Sequence, residues 1–283
     1  MTILLDGKGL AQKKQEQLTI KVKEYAQKFT SVPKLVAIIV GDDPASRVYV
    51  ASKAKACKAV GIDSLLIKEE DTFSENALLT MIDELNAAPG ISGILVQLPL
   101  PKHINPQSII ERITPLKDVD GFHPYNIGRL ALRQPLLRSC TPYGIMQLLE
   151  AYDLNPKGMN ATIIGVSNIV GRPLALELML AGATITSCNS STQSIEQHIK
   201  HADIVVSATG RRDVFDQSKI SENAIVIDVG MHRIDNKLCG DLDFDLLNGK
   251  VRYLTPVPGG VGPMTISALL QNTYQAAMMQ REA

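Results

Sequence analysis

The chain has 283 residues, which at roughly 100–200 residues per domain implies two domains. Lys plus Arg and Asp plus Glu each number 29, a balance that argues against a nucleic-acid-binding surface or a polybasic membrane anchor. Apolar residues make up 45% and charged residues 20%, as in ordinary globular proteins, with no apolar run long enough to span a bilayer and no signal-peptide pattern at the start.

Cys57, Cys140, Cys188 and Cys239 are widely separated and form no CxxC pair. This fits buried thiols in a reducing compartment better than disulfides or zinc, so a cytoplasmic location and no metal are expected.

Gly7 to Phe29 reads as a long helix, and Leu35 to Val40 (LVAIIV) as a buried strand. A helix over Ala45 to Gly61 follows Pro44. On a wheel of 3.6 residues per turn it places Tyr49, Val50, Lys53, Cys57 and Val60 on one face. Arg47, Lys55 and Lys58 fall on the opposite face, toward water. Lys53 therefore interrupts an apolar stripe, one turn after Tyr49. An amine held against apolar walls has its charged form disfavoured and can exchange protons near neutral pH. The plain alternative is a lysine whose ammonium snorkels past the stripe.

A short strand is expected at Leu65 to Ile67, a helix at Ser74 to Asn86 capped by Ser74, and a buried strand at Gly93 to Leu98 (GILVQL). Strands alternating with helices imply a parallel sheet covered on both faces. The Pro- and Gly-rich stretch from Pro99 to about Thr141 reads as a connection between lobes. Thr141-Pro142 then starts a helix running to Tyr152.

In the second half, strands are expected at Ala161 to Gly165, Ala183 to Ser187, Asp203 to Ala208 and Ala224 to Val229. Helices are expected at Gly171 to Ala181 and Ile195 to His201. A strand spacing of roughly 20 residues is that of a doubly wound nucleotide fold. Met264 to Met279 reads as an amphipathic helix returning to the first lobe. The expected fold class is α/β in two lobes. Residues 1–139 would form an N-terminal α/β catalytic domain, and 140–263 a Rossmann-type NAD(P)-binding domain. Residues 264–283 would form a C-terminal helix packed on the first domain.

The turn GVSNIVGRP, Gly165 to Pro173, joins a strand to a helix, where backbone N–H groups attract a dinucleotide phosphate. It is not GxGxxG, since Gly165 and Gly171 are six apart. Its context carries the reading, against the alternative of a plain strand-to-helix turn. The end of the next strand (Cys188-Asn189-Ser190-Ser191-Thr192) has no carboxylate for a ribose hydroxyl. That leans toward NADP, with NAD the alternative.

Four further segments contain residues a core would not require. Gln97 ends an apolar strand at the usual ligand edge of such sheets. Lys117 to Pro124 (KDVDGFHP) sets Asp118 and Asp120 two apart in a loop, where carboxylates are commonly turn formers. Asp228-Val229-Gly230 ends a strand. Thr255 to Thr265 (TPVPGGVGPMT) is a shaped backbone surface with few side chains, suited to a flat ligand or to a hinge.

In this order, YVASK (49–53), GILVQLPLP (93–101), KDVDGFHP (117–124), the turn at 165–173, DVG (228–230) and PVPGGVGPMT (256–265) resemble one family from end to end. It is the bifunctional methylenetetrahydrofolate dehydrogenase/methenyltetrahydrofolate cyclohydrolase family. The resemblance implies oxidation of 5,10-methylenetetrahydrofolate with NADP, then hydrolysis of the methenyl product to 10-formyltetrahydrofolate. It implies that Lys53 is the essential lysine, that Gln97 hydrogen-bonds it and helps position water, that Tyr49 stacks on the folate, and that Asp120 accepts from the pterin edge. Val96, Leu98, Pro258, Gly259, Gly260, Val261 and Gly262 would contact substrate. Gly165, Val166, Ser167, Ser190 and Met231 would contact the dinucleotide. A homodimer through the second lobe is implied, acting on reduced folates without nucleic acid or membrane. Two departures stand near the cofactor's 2′-phosphate. Val166 replaces a frequent arginine, and Asn189 a frequent histidine; Arg172, Arg211 and Arg212 are the candidate substitutes. The alternative function is another two-lobed NAD(P)-dependent oxidoreductase acting on a small polar substrate.

Overall fold

The computed structural model describes residues 1–234 and 237–282, and the side chains of residues 44–48 lie outside the described set. The expected solvent-facing placement of Arg47 falls there. In chain order the elements are β1 (Ile3–Leu4), α1 (Gly7–Phe29), β2 (Lys34–Val40), α2 (Pro44–Val60), β3 (Asp63–Glu69), α3 (Glu75–Ala87) and β4 (Gly93–Val96). Next come α4 (Pro106–Arg112), α5 (Pro124–Ala131), α6 (Cys140–Ala151), β5 (Asn160–Ile164), α7 (Gly171–Leu180), β6 (Thr184–Cys188) and α8 (Ile195–Ile199). The chain ends with β7 (Ile204–Ser207), β8 (Ile225–Asp228), β9 (His232–Ile234), β10 (Lys237–Cys239), α9 (Phe244–Leu247), β11 (Tyr253–Leu254) and α10 (Val261–Glu282).

The chain divides into two compact units, neither continuous in sequence. One comprises Lys13–Cys140 and Ile266–Ala283, the other Met1–Gln12 and Thr141–Thr265. Residues 1–12, grouped with the first domain on sequence, fall in the second unit because β1 pairs in parallel with β11, Ile3 beside Tyr253. β1 is two half-exposed residues and carries no periodicity of its own.

In the unit Lys13–Cys140 with Ile266–Ala283, a parallel sheet has the order β3-β2-β4. β2 is buried along six of its seven residues. Val36, Ile38 and Val40 pack with Leu78, Ile82 and Ile94. β3 is longer than the expected Leu65 to Ile67, because seven residues pair with β2 from Asp63 to Glu69. Most of its side chains face solvent, so hydrophobic patterning understates the backbone pairing. β4 stops at Val96, short of the expected Leu98. Three residues on, Pro99 has no N–H to extend a ladder.

The stretch after Pro99 is not merely a connection. It forms α4 and α5 and belongs to this unit. Two of its prolines, Pro106 and Pro124, are first-turn residues of these helices rather than loop markers. Asn105 Oδ1 accepts from Gln107 N at 3.0 Å, and His123 Nδ1 accepts from Tyr125 N at 2.9 Å, capping the two helices. The C-terminal part of α10 closes the unit. Asn272 Nδ2 donates to both Val119 O and Arg138 O at 2.8 Å, and Gln280 Nε2 to Ser92 O at 2.8 Å. α10 begins at Val261, earlier than the expected Met264.

In the other unit a six-stranded parallel sheet has the order β1-β11-β8-β7-β5-β6. One face is covered by Ile145, Leu148, Leu174 and Leu178 from α6 and α7. The other is covered by Ile195, Ile199, Leu242 and Leu247. The chain leaves β5 for β6 on one side and returns to β7 on the other. The crevice beyond the C-terminal ends of β5 and β7 is therefore the topological switch point, the usual ligand position in open α/β sheets.

Candidate active site

α2 buries Val50, Lys53, Cys57 and Val60 and leaves Lys55 and Lys58 exposed, with Tyr49 half-buried. The amphipathic reading of this helix therefore holds at every described position. Lys53 is only 5% exposed. Its Nζ does not snorkel to solvent. It donates to Gln97 Oε1 at 3.1 Å and lies 4.6 Å from the centroid of the Tyr49 ring. One turn on, burial pushes the Cys57 thiol up to about 12, so it is an inert core group.

Gln97 follows β4 directly, and its N–H donates to Ile38 O at 2.9 Å, as the ladder would. Its side-chain Nε2 donates to Leu98 O at 2.7 Å. That bond settles which end of the amide meets Lys53: the oxygen. Val96 is buried within β4, and Leu98 is half-buried.

The loop after α4 separates three charged residues by task. Lys117 is buried, and its Nζ donates to Leu85 O, Asn86 O and Ala88 O at 2.9, 2.8 and 2.7 Å. It caps the C-terminal carbonyls of α3, where a cation also suits the helix dipole. Asp118 accepts from Phe122 N at 3.2 Å, His123 N at 2.8 Å and Asn126 Nδ2 at 2.8 Å. It is the turn former that such carboxylates commonly are.

Asp120 differs. Its carboxyl has no hydrogen-bond donor among the described residues. Burial pushes it up to about 6; the Lys53 charge opposes that rise, and the Asp118 charge adds to it. The neighbouring Cys140 thiol is raised well above its ordinary range by burial and then by the Asp120 charge. Lys53, Gln97, Tyr49 and Asp120 thus belong to one unit, and Lys53 interacts with each of the other three. The combination offers an amine for proton transfer, an amide that orients it, an aromatic face, and a carboxyl free to accept from a ligand.

In the other unit, Gly165 closes β5 with φ +103°, and a Cβ there would lie 2.2 Å from Ala208 O. A Cβ on Gly171 would lie 1.9 Å from Gly165 O. Only glycine allows this turn to fold tightly onto the N-terminus of α7. Ser167 Oγ accepts from Val170 N at 3.2 Å. The turn opens on a cavity of about 660 Å³ lined by Gly165, Val166 and Ser167, by Asn189, Ser190 and Thr192 after β6, and by Thr209, Arg211 and Arg212 after β7. A glycine cradle, a helix N-terminus and two guanidiniums fit a phosphate-bearing dinucleotide. Four of the five expected cofactor residues meet here. Met231 does not line this cavity and is 58% exposed.

The sequence expectation omits Thr192 and Thr209, which also line this cavity. Their signal was position, at the C-terminal ends of β6 and β7. It also missed Asp241, whose carboxylate accepts from Ser207 Oγ, Thr209 N, Thr209 Oγ1, Gly210 N and His232 Nε2. Asp228, the last residue of β8, accepts from Gly230 N, Asp241 N and Leu242 N, and burial pushes its carboxyl up to about 6. These two carboxylates build the rim and leave little capacity for a ligand. Pro258, Gly259, Gly260, Val261 and Gly262 also belong to this unit. The Val257–Pro258 bond is cis, Gly259 O accepts from Lys8 N at 2.8 Å, and Val261 joins the core. Among the described residues no group of three His, Cys, Asp or Glu side chains is placed to hold a metal, and no helix is long and apolar enough to cross a membrane.

Residues 5–120 match the family model described as tetrahydrofolate dehydrogenase/cyclohydrolase, catalytic domain, and residues 139–281 match its NAD(P)-binding domain. The chain is 50% identical over 280 residues to the bifunctional protein FolD of Legionella pneumophila (strain Corby), covering 99% of each. The crystal structure of the bifunctional FolD enzyme from Campylobacter jejuni superposes with a TM-score of 0.95 at 45% identity, covering 99% of both chains. The Trypanosoma brucei dehydrogenase-cyclohydrolase, solved with NADP cofactor and inhibitor, superposes with a TM-score of 0.95 at 34% identity, covering 100% of this chain and 99% of that one.

Proposed function

The chain belongs to the tetrahydrofolate dehydrogenase/cyclohydrolase family, and we propose that Lys53, Gln97, Tyr49 and Asp120 carry the chemistry of its two reactions. The enzyme oxidises 5,10-methylenetetrahydrofolate with a nicotinamide dinucleotide and hydrolyses the methenyl product to 10-formyltetrahydrofolate.

The supporting observation is the placement of Lys53 Nζ, buried and bonded to Gln97 Oε1. In this reading Nζ takes a proton from the water that attacks the methenyl carbon. It returns a proton to the folate nitrogen as the ring C–N bond opens, so protons balance across the step. Gln97, held through Leu98 O, orients the amine. Asp120 accepts from the amino-pyrimidine edge of the pterin, and the Tyr49 ring lies on its face. Val96 and Leu98 flank Gln97 along the same ligand edge. For Pro258 to Gly262 the ground for substrate contact is the sequence resemblance.

The dinucleotide, when bound, supplies the hydride acceptor. Gly165, Val166, Ser167 and Ser190 hold it, and Met231 is assigned to it by resemblance. NADP is favoured over NAD by two guanidiniums in the cavity and by the absence of a carboxylate after β6. The proposal includes a cytoplasmic homodimer that needs neither metal, nucleic acid nor membrane. The free cysteines support the compartment, and the balanced charge supports the lack of a nucleic-acid or polybasic membrane surface.

The test is a spectrophotometric assay with methylenetetrahydrofolate and each dinucleotide, run beside hydrolysis of methenyltetrahydrofolate by Lys53→Met. The variant should fold and lose hydrolysis by about 100-fold or more. Hydrolysis at the wild-type rate would remove Lys53 from the proton path.

A further inference from the structure

The geometry points to Arg211 as the residue that reads the dinucleotide's 2′-phosphate, so the selective cation comes from the loop after β7 rather than from the phosphate turn. This rests on the NADP reading above.

The phosphate turn has no cation to offer. Its central residue in the cavity is Val166, and Arg172 in the first turn of α7 does not line the cavity. The turn after β6 is closed on itself. Asn189 Oδ1 accepts from Ser191 N, and Thr192 Oγ1 accepts from Asn189 N, both at 2.9 Å. It therefore presents hydroxyl and amide groups but no charge. The charged residues lining the cavity are Arg211, Arg212 and Asp213.

The two arginines are not equivalent. Arg212 Nη1 lies 3.3 Å from Cys239 Sγ, and Arg212 also lines a separate cavity of about 160 Å³ beside Asp228. The Arg211 guanidinium has no hydrogen bond or ion pair among the described residues, yet its backbone is firmly held. Thr209 Oγ1 donates to Arg211 O at 2.7 Å, and Arg211 N donates back to Thr209 Oγ1 at 3.1 Å. Buried Asp241 in turn anchors Thr209 N at 2.9 Å and Gly210 N at 3.2 Å. A fixed backbone carrying an uncommitted guanidinium into a cavity without a competing carboxylate from β6 is suited to a phosphate monoester. The guanidinium fork matches phosphate oxygens, and a ribose hydroxyl gains little from it.

The test uses 2′,5′-ADP and 5′-AMP, which share adenosine and differ in the 2′-phosphate, titrated calorimetrically without folate or turnover. Wild type should bind 2′,5′-ADP the more tightly. Arg211→Gln should lose about tenfold or more of that preference while 5′-AMP binding stays unchanged, and Arg211→Lys should keep part of it. A preference that survives Arg211→Gln overturns the inference. So does an equal loss for both nucleotides, which would assign Arg211 to the adenine. A wild type without any preference overturns the NADP reading itself.

Discussion

Lys53 Nζ donates to Gln97 Oε1 across 3.1 Å, although one residue sits mid-helix in α2 and the other just past β4, 44 positions on. The Gln97 amide cannot swing freely, because its Nε2 is committed to Leu98 O at 2.7 Å. The amine is therefore oriented by a backbone carbonyl, through one side chain.

Gln97→Ala removes the acceptor and leaves Lys53 buried. Hydrolysis of methenyltetrahydrofolate should fall by about 100-fold. Gln97 is half-buried at a strand end, so the cost in stability should stay near 1 kcal/mol in urea unfolding. Unchanged hydrolysis would show that Gln97 does not position the amine.

The Asp120 carboxyl sits at about 6 in the folded protein, above its ordinary 3.8, chiefly through burial. Because the folded value is raised, its contribution to stability is complete below 3.8 and is lost as pH climbs through about 6. Asp120→Asn should flatten the pH dependence of Tm across that window. If the ionised carboxylate receives the pterin, kcat/KM for methylenetetrahydrofolate should fall on the acid side of about pH 6. The asparagine variant should lose that limb together with most of its kcat/KM. A limb that persists in the variant would assign it to another group.

Gly171→Ala places a Cβ 1.9 Å from Gly165 O, a backbone atom that cannot yield without moving the phosphate turn. Calorimetry should record at least about a tenfold loss of dinucleotide affinity, since the turn and the α7 N-terminus shift together. Hydrolysis of the methenyl compound consumes no dinucleotide and should remain. Intact dinucleotide binding would mean that the turn tolerates the displacement.

Lys117→Met uncaps two α3 carbonyls, Leu85 O and Asn86 O, and that of the C-cap residue Ala88. Chemical denaturation should register about 2–3 kcal/mol of lost stability, with kcat for both reactions close to wild type. A loss of kcat without a loss of stability would move Lys117 from scaffold to catalysis.

Buried lysines show how far sequence reading reaches. Lys53 was visible because it breaks an apolar stripe on a helix, and helical periodicity is local. Lys117 was not, because it lies in a loop and its partners are 29 to 32 positions away. The carboxylates behave alike. Two residues apart in one loop, Asp118 and Asp120 read as equivalent until the donors from Phe122, His123 and Asn126 are seen to converge on Asp118 alone.

Periodicity and turn chemistry were enough to name most helices and strands, the apolar face of α2 and the strand-to-helix phosphate turn, since each depends on neighbours within a few residues. The order of motifs was enough to name the family. A short piece such as β1 needed the folded sheet to exist, because its two residues gain strand character from β11, with Ile3 paired to Tyr253. Which arginine stays uncommitted, which carboxyl stays open and which amide end meets the lysine also rest on long-range contacts. A hydrogen bond is a property of two groups, and chain order does not specify which distant group arrives.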